Sequence, residues 1–296
     1  MKEKSGRSFR PLQTMSASEE AVSGSDYARL CKLIYAEAGI QLGTERKTML
    51  EVRIKRRLKV LNFNTYGQYC DYLFGHVGLK DELVHLIDVV TTNKTDFFRE
   101  AAHFDFLVDK ALPELAERIL GRQFTIWSAG CSTGEEPYTL AILLSEYALA
   151  HPGFTFRITA SDISNIVLEK AELGIYTSDV VAAVSPALRR KYFMRSLKPG
   201  SDQQRVVPEL RRQVEFRRLN FMDADYGVRE RLDAIFCRNV IIYFDRATQE
   251  RILRRLTDHL LPGGYLFVGH AETLHDMNLP LTPVAPALYR RIDGRG

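Results

Sequence analysis

The run Trp127 to Tyr138, WSAGCSTGEEPY, gathers hydroxyls, two glycines and two adjacent carboxylates in one short stretch, and that grouping fits two incompatible chemistries. Gly130 and Gly134 bracket Ser132 as G-x-S-x-G, and Asp233 or Asp245 followed by His270 completes the chain order nucleophile, acid, histidine of a serine α/β-hydrolase. Such a hydrolase places several strands and an oxyanion-hole loop before its elbow, whereas a helical region without such a loop precedes Trp127 here. Glu135 and Glu136, directly after the turn, would also oppose the oxyanion that a helix N-terminus should stabilise. The same acids repel phosphate, and no Gly-Lys-Ser or Gly-Lys-Thr follows the glycines, which excludes a P-loop.

The alternative is a glycine turn for a nucleoside cofactor that carries positive charge, and S-adenosylmethionine, a sulfonium with an amino acid tail, is of that kind. Asp162 ends the next strand-like run, ITASDIS, roughly 28 residues after Gly134, where βαβ nucleotide folds place an acid on the ribose hydroxyls. Each acid also has a structural reading. Asp162 equally suits an N-cap, and Glu135 and Glu136 complement a helix dipole.

These residues need a scaffold, and 296 residues suffice for two domains. Residues 1–25 are polar and aperiodic and read as a disordered tail. Residues 26–90 read as all-helical. Tyr27–Ala38 is capped by Ser25 or Asp26 and stopped by Gly39. A helix after Thr44 carries the apolar stripe Leu50, Ile54, Leu58, Leu61. Thr65–Leu73 and Lys80–Val90 follow, the latter burying Leu83, Leu86, Ile87 and Val90. Residues 91–120 read as a linker and helix. From 121 to 296 strands alternate with helices, as in a mostly parallel sheet covered on both faces. The strand candidates are Phe124–Ala129, Phe156–Ser161, Ala234–Cys237 and Tyr265–Gly269. Pro137–Leu149, Ile166–Leu173 and Arg246–Leu260 are helical, the last ended by Pro262-Gly263-Gly264. Residues of about 192–218 suggest an inserted antiparallel β-subdomain.

Four runs, TTNKTDFFRE (Thr91–Glu100), STGEEPYTLA (Ser132–Ala141), ASDIS (Ala160–Ser164) and AIFCRNVIIYF (Ala234–Phe244), together with GHAET (Gly269–Thr273), resemble the chemotaxis receptor methyltransferase family in order and spacing. The resemblance covers nearly the whole chain from about Asp26. It implies a Rossmann-like class I methyltransferase domain with an inserted small antiparallel β-subdomain, preceded by an all-helical N-terminal domain. The implied activity is transfer of a methyl group from S-adenosylmethionine to glutamate carboxylates of bacterial chemoreceptors, leaving S-adenosylhomocysteine and using no metal. By the same resemblance, Asn93, Thr95 and Arg99 contact the methionine end of the cofactor or the reacting group. Glu136 and Asp162 bind its amino acid and ribose portions, Asn220 and Phe221 flank the adenine, and Arg238, Asn239 and Tyr243 complete the pocket. Arg99 and Tyr243 are the catalytic candidates. Simpler readings stand beside these: Thr95 as a helix cap, Arg99 paired with Glu100 or Asp96, Tyr243 as a packed aromatic.

Arg46, Arg53, Arg56 and Arg57 gather on one face of the second helix, with Lys47, Lys55 and Lys59 nearby. They read either as a solvated surface or as the binding face for acidic receptor helices, the latter being what the family assigns. A nucleic-acid methyltransferase or binding module is the rival reading. Against it, the chain has no N-P-P-[YFW] motif and no aromatic residues within the basic run. A receptor C-terminal tail is expected to add a strand to the β-subdomain. The net charge of +4 is small, the four cysteines contain no C-x-x-C, and no run nears the roughly 18 apolar residues of a membrane span. A cytoplasmic protein without membrane insertion is expected.

Overall fold

The computed structural model describes residues 21–75, 78–119 and 121–292. They form two compact units, one of the residues up to Lys32 with Leu42–Val89, the other of Leu33–Gln41 with the chain from Val90 onward. The tail expected over 1–25 lies outside the described residues as far as Glu20. Beyond it the chain is already in the fold: Val22 is buried, and its N–H donates to Glu51 Oε1 at 3.0 Å.

Helix α1 (Gly24–Ala38), whose residues up to Lys32 belong to the first unit, starts three residues before the expected Tyr27, because Ser23 Oγ accepts the Asp26 N–H at 3.0 Å; Ser23 rather than Ser25 or Asp26 is the cap. Helix α2 (Lys47–Leu61) buries Leu50, Ile54 and Leu58 and stops at Asn62 in the left-handed region. A Thr65–Gln68 capping box opens α3 (Tyr66–Leu73). Helix α4 (Gly78–Val90) buries Leu86, Ile87 and Val90, and with them Glu82.

That buried acid changes the reading of the basic face. Arg57 Nε and Nη2 donate to the two Glu82 oxygens at 2.8 and 2.7 Å, and the Tyr69 hydroxyl donates to the same carboxylate at 3.2 Å. Removing one partner of a buried pair costs about 3–5 kcal/mol, so half-buried Arg57 is tied to buried Glu82 rather than held loosely on the basic face. Arg53 donates from Nη1 to the Val89 carbonyl at 3.0 Å, near the negative end of α4. Arg56 is exposed beside Lys55 and Lys59, and Arg46 is half-buried, 3.9 Å from Glu45.

From Val90 onward the second unit continues with α5 (Ala101–Phe106), which passes through a π-helical turn, Leu107–Ala111, into α6 (Leu112–Ala116). Then come β1 (Phe124–Ala129), α7 (Glu135–Ala150), β2 (Phe156–Asp162), α8 (Asn165–Leu173) and β3 (Ile175–Thr177). Helix α9 (Pro186–Tyr192), β4 (Phe193–Arg195), β5 (Gln203–Val206), α10 (Pro208–Arg211) and β6 (Val214–Arg218) follow. The chain closes with β7 (Leu232–Cys237), α11 (Arg246–His259), β8 (Leu260–Val268), β9 (Leu281–Ala285) and β10 (Leu288–Arg291).

Seven strands form one sheet in the order β6-β2-β1-β7-β8-β10-β9. The first five are parallel, and β10 and β9 are antiparallel additions at one edge. All six residues of β7 are buried and five of six in β1, as strands covered on both faces require. The expected Rossmann-like domain is thus the observed one. Three boundaries differ. The small antiparallel sheet, in the order β3-β5-β4, begins at Ile175 rather than near 192. Val214–Arg218, expected within it, pairs parallel with β2 in the main sheet. Pro262-Gly263-Gly264 lies inside β8 instead of terminating a helix, since α11 ends at His259.

Candidate active site

Parallel pairing sends the chain out of β6, β2, β1, β7 and β8 at one edge of the sheet, and β1 lies where the chain winds away in both directions. Ligands of open α/β sheets bind at such a switch point. The register sets Ala129 beside Ser161 and Ser128 beside Phe236, so the loops after β1, β2 and β7 start level with one another.

The glycine turn is held by its neighbours. Gly130 and Cys131 donate their N–H groups to the Ser161 carbonyl at 2.8 and 2.9 Å. Ser132 donates its N–H to Asp162 Oδ2 at 2.9 Å and its hydroxyl to the Asn93 carbonyl at 2.9 Å. Asp162 also accepts the Ser164 N–H on Oδ1 at 3.0 Å, so this carboxylate joins the loops after β1 and β2. The turn must be glycine at Gly130: a Cβ there would lie 2.4 Å from Val240 Cγ2.

This geometry removes the hydrolase. The Ser132 hydroxyl is committed to Asn93, Asp233 sits at the opposite end of β7 bonded to Arg122 and the Thr125 N–H, and Asp245 caps α11. His270 packs against the ring of His103, with centroids 4.7 Å apart.

Glu136 and Arg238 form the floor of the edge. Glu136 accepts the Ser128 hydroxyl on Oε1 and Arg238 Nε on Oε2, both at 2.7 Å. Arg238 Nη1 also donates to the Arg99 carbonyl at 2.7 Å and approaches His103 Nδ1 at 3.2 Å, and its guanidinium lies 5.0 Å over the Phe104 ring. The expected ligands Glu136 and Arg238 therefore bind each other first, and the carboxylate retains lone pairs for a further donor. Glu135 turns elsewhere: the Thr133 hydroxyl donates to it at 2.7 Å, and burial raises its carboxyl above the usual range.

Of the other expected residues, Arg99 meets this pair directly, through its carbonyl, and Asn239 reaches it through Glu100. Asn93 donates from Nδ2 to Thr91 Oγ1, and Arg99 donates from Nη1 to the Lys94 carbonyl at 2.8 Å rather than to Glu100 or Asp96. Thr95 is half-buried and is not a helix cap, since α5 is preceded by Glu100. Asn220 donates from Nδ2 to the Glu37 carbonyl at 2.6 Å and accepts the Met222 N–H on Oδ1. Phe221 is buried against Tyr226 and Phe244. Asn239 donates from Nδ2 to Glu100 Oε1 at 3.2 Å. Tyr243, half-buried, takes the Gln41 N–H on its carbonyl.

Sequence reasoning missed Ser128, Glu100, His103 and Glu272. The alternation of β1, which turns Ser128 toward α7, and the positions of Glu100 within TTNKTDFFRE and Glu272 within GHAET carried a signal; for His103 there was none. Strain marks the same place. Of seven non-glycine residues with positive φ among those described, Phe98, Glu100, Ser132 and Asn239 belong to this edge. Each such conformation costs about 1–3 kcal/mol, and hydrogen bonds such as Phe98 N–H to Thr139 Oγ1 at 3.2 Å hold it.

Glu100, His103 and His270 bring ligating atoms within 4.8 Å of one another. The cation beside them is the guanidinium of Arg238, 3.6 Å from Glu100 Oε2. Burial, then Arg238, lowers His103 from its usual 6.5 to about 4, while Glu100 and His270 also face it. Glu100 lies below the usual carboxyl range: burial opposes this, but the Asn239 amide and the charges of Arg238, His270 and His103 outweigh it. Between pH 6.5 and 4 the unfolded chain binds a proton at His103 that the folded chain refuses. Stability therefore falls as pH drops through that window and levels off, for this group, below it. Thermal unfolding at pH 7 and pH 4.5 should register the fall, and His103→Gln should reduce the difference; an unchanged difference would contradict this assignment.

Residues 93–286 match the family model described as CheR methyltransferase, SAM binding domain, and residues 25–91 match CheR methyltransferase, all-alpha domain. The chain is 42% identical over 257 residues to a chemotaxis protein methyltransferase of Salmonella typhimurium, covering 87% of this chain and 86% of that one. It is 39% identical over 275 residues to one of Borreliella burgdorferi, covering 91% and 95%. With one of Escherichia coli the identity is 40% over 271 residues, covering 91% of each.

Proposed function

Since the chain belongs to the CheR methyltransferase family, and so is an S-adenosylmethionine-dependent methyltransferase of chemotaxis, we propose that it methylates glutamate carboxylates of bacterial chemoreceptors, forming methyl esters. The observation that carries this reading is the edge itself, where Asp162 and Glu136 flank a glycine turn at the switch point of the sheet. Carboxylates there suit a cationic, hydroxyl-bearing ligand and repel a phosphate.

S-adenosylmethionine supplies an activated methyl group on a sulfonium. A receptor glutamate is ionised at neutral pH, so no general base is needed, and the proposed chemistry calls on no metal. The protein's task is alignment and exclusion of water. Asp162 takes the ribose hydroxyls and Glu136 the amino group, while Asn220 and Phe221 border the base. Asn93 and Thr95 line the methionine end, and Asn239 steadies the floor beside Arg238. Arg99 and Tyr243 orient the receptor carboxylate, where a charged two-pronged hydrogen bond gives direction as well as affinity.

Acidic receptor helices dock on the outward part of the basic helix face, Arg46 and Arg56 with Lys55 and Lys59, by charge complementarity. Arg57 and Arg53 support that face from within the unit. A receptor tail adds to an edge of the small sheet β3-β5-β4. The protein acts in the cytoplasm on receptors held in the membrane; among the described residues no helix is long and apolar enough to cross one. Family membership leaves the nucleic-acid reading without support.

Arg99→Ala tests the assignment at the reacting group. Methyl transfer to receptor should fall by about a hundredfold or more, as expected when a positioning group is lost. Turnover equal to wild type would remove Arg99 from the mechanism.

A further inference from the structure

One acid at this edge has no part in the chemistry above. Glu272 is buried, yet its carboxylate accepts four backbone N–H groups from two separate segments. Oε1 takes those of Ile241 and Ile242 at 2.8 and 3.3 Å, and Oε2 takes those of Asn239 and Gly269 at 2.9 and 2.6 Å. Burial raises its carboxyl above the usual range, against the pull of these donors.

The segment it grips is the one that needs a grip. Asn239 has a φ of 59°, a left-handed conformation that asparagine tolerates better than most side chains but that breaks the regular backbone at this point. The short helical turn Ile241–Tyr243 has no side-chain cap from its own N-terminus, so its first donors would otherwise be unpaired. Gly269 permits the approach, because a Cβ there would meet the Asn239 nitrogen at 2.8 Å. Arg238 and Tyr243 stand at the two ends of the clamped stretch, and Asn239 lies within it.

We infer that Glu272 is the positioning residue of the methyl-transfer site, holding residues 239 to 242 so that Arg238, Asn239 and Tyr243 keep their places in the pocket. The inference rests on the reading of this edge as the cofactor pocket. Glu272 touches neither substrate; it acts through the backbone that carries those three side chains. Glutamine cannot replace it, because its amide NH₂ would face two of the N–H donors. Misplacement of a positioned group by about an ångström costs about a hundredfold in rate.

The test uses the full chain, with Glu272→Gln and Glu272→Asp compared against Asp233→Asn. Asp233 is equally buried at the far end of β7, where it holds Arg122 and the Thr125 N–H. All are measured well below their unfolding midpoints for S-adenosylhomocysteine affinity, kcat and receptor KM. Glu272→Gln should weaken S-adenosylhomocysteine binding and lower kcat by about 10- to 100-fold each, with receptor KM close to wild type. Glu272→Asp keeps the charge but draws the acceptors back by one methylene, and should show a smaller loss of both. Asp233→Asn should lower the unfolding midpoint while leaving affinity and kcat intact. Glu272 variants that lose stability but keep wild-type affinity and kcat, or an Asp233→Asn variant with matching losses, would overturn the inference. A wild-type chain that binds no S-adenosylhomocysteine would instead overturn the pocket reading, and that titration is made before any variant is measured.

Discussion

Asp162→Ala should reduce S-adenosylhomocysteine affinity by about 10²–10⁴-fold, because two hydrogen bonds to a charged acceptor, each worth about 1.5–3 kcal/mol, disappear together. The loss has a second source within the protein. Asp162 accepts the N–H groups of Ser132 and Ser164, so its removal also frees the glycine turn, whose Ser132 occupies a left-handed conformation. Asp162→Asn keeps one acceptor oxygen and should lose less, about tenfold, corresponding to about 1.4 kcal/mol. Calorimetric titration of wild type and both variants provides the check. Affinity of Asp162→Ala within about threefold of wild type, some 0.7 kcal/mol, would remove Asp162 from the pocket.

Arg238→Met should be the most damaging single change to the fold of the site. It leaves Glu136 buried with one of its two protein partners gone and withdraws the donor to the Arg99 carbonyl. Removing one member of a buried pair costs about 3–5 kcal/mol, which in a chain of this size lowers the unfolding midpoint by about 5–8 °C. The double variant Arg238→Met/Glu136→Gln removes the orphaned charge and should recover part of that stability. It should not recover methyl transfer, since both groups are assigned to the pocket. Stability and activity that return together would mean that the pair serves the fold alone. Stabilities that simply add, with no coupling in the cycle, would contradict the ion pair itself.

The parts of this site that were legible in the sequence are those whose local pattern reports a local cause. Strands β1 and β7 are covered on both faces, so their residues read as nearly continuous apolar runs. The turn WSAGCSTGEEPY and Asp162 were visible because strand, glycine and acid fall at fixed offsets in a βαβ unit. Strand β6, VEFRR, misled because it is an edge strand with only β2 beside it. Its alternating polarity is that of a half-exposed strand in either direction, and sequence alone does not report whether a partner runs parallel.

Pairings between distant residues were not legible at all. Arg57 belongs by helical spacing with its basic neighbours, but Glu82, 25 residues on, ties it to α4. Glu136 and Arg238 were both assigned to the cofactor, and their mutual bond spans 102 residues. Glu272 lay in a recognised motif, yet its role appears only once four N–H groups are seen to converge on it. In each case tertiary contact, rather than propensity or period, decides the role.

The most direct test is the chemistry of the product. Full-length protein is incubated with receptor-bearing membranes and methyl-labelled S-adenosylmethionine, with RNA offered in parallel, and the labelled product is treated with mild alkali. Label should enter the receptor, be released as methanol by the alkali, and be absent from RNA. Label that enters RNA, or receptor label that survives alkali as an amine or thioether would, contradicts transfer to a glutamate carboxylate.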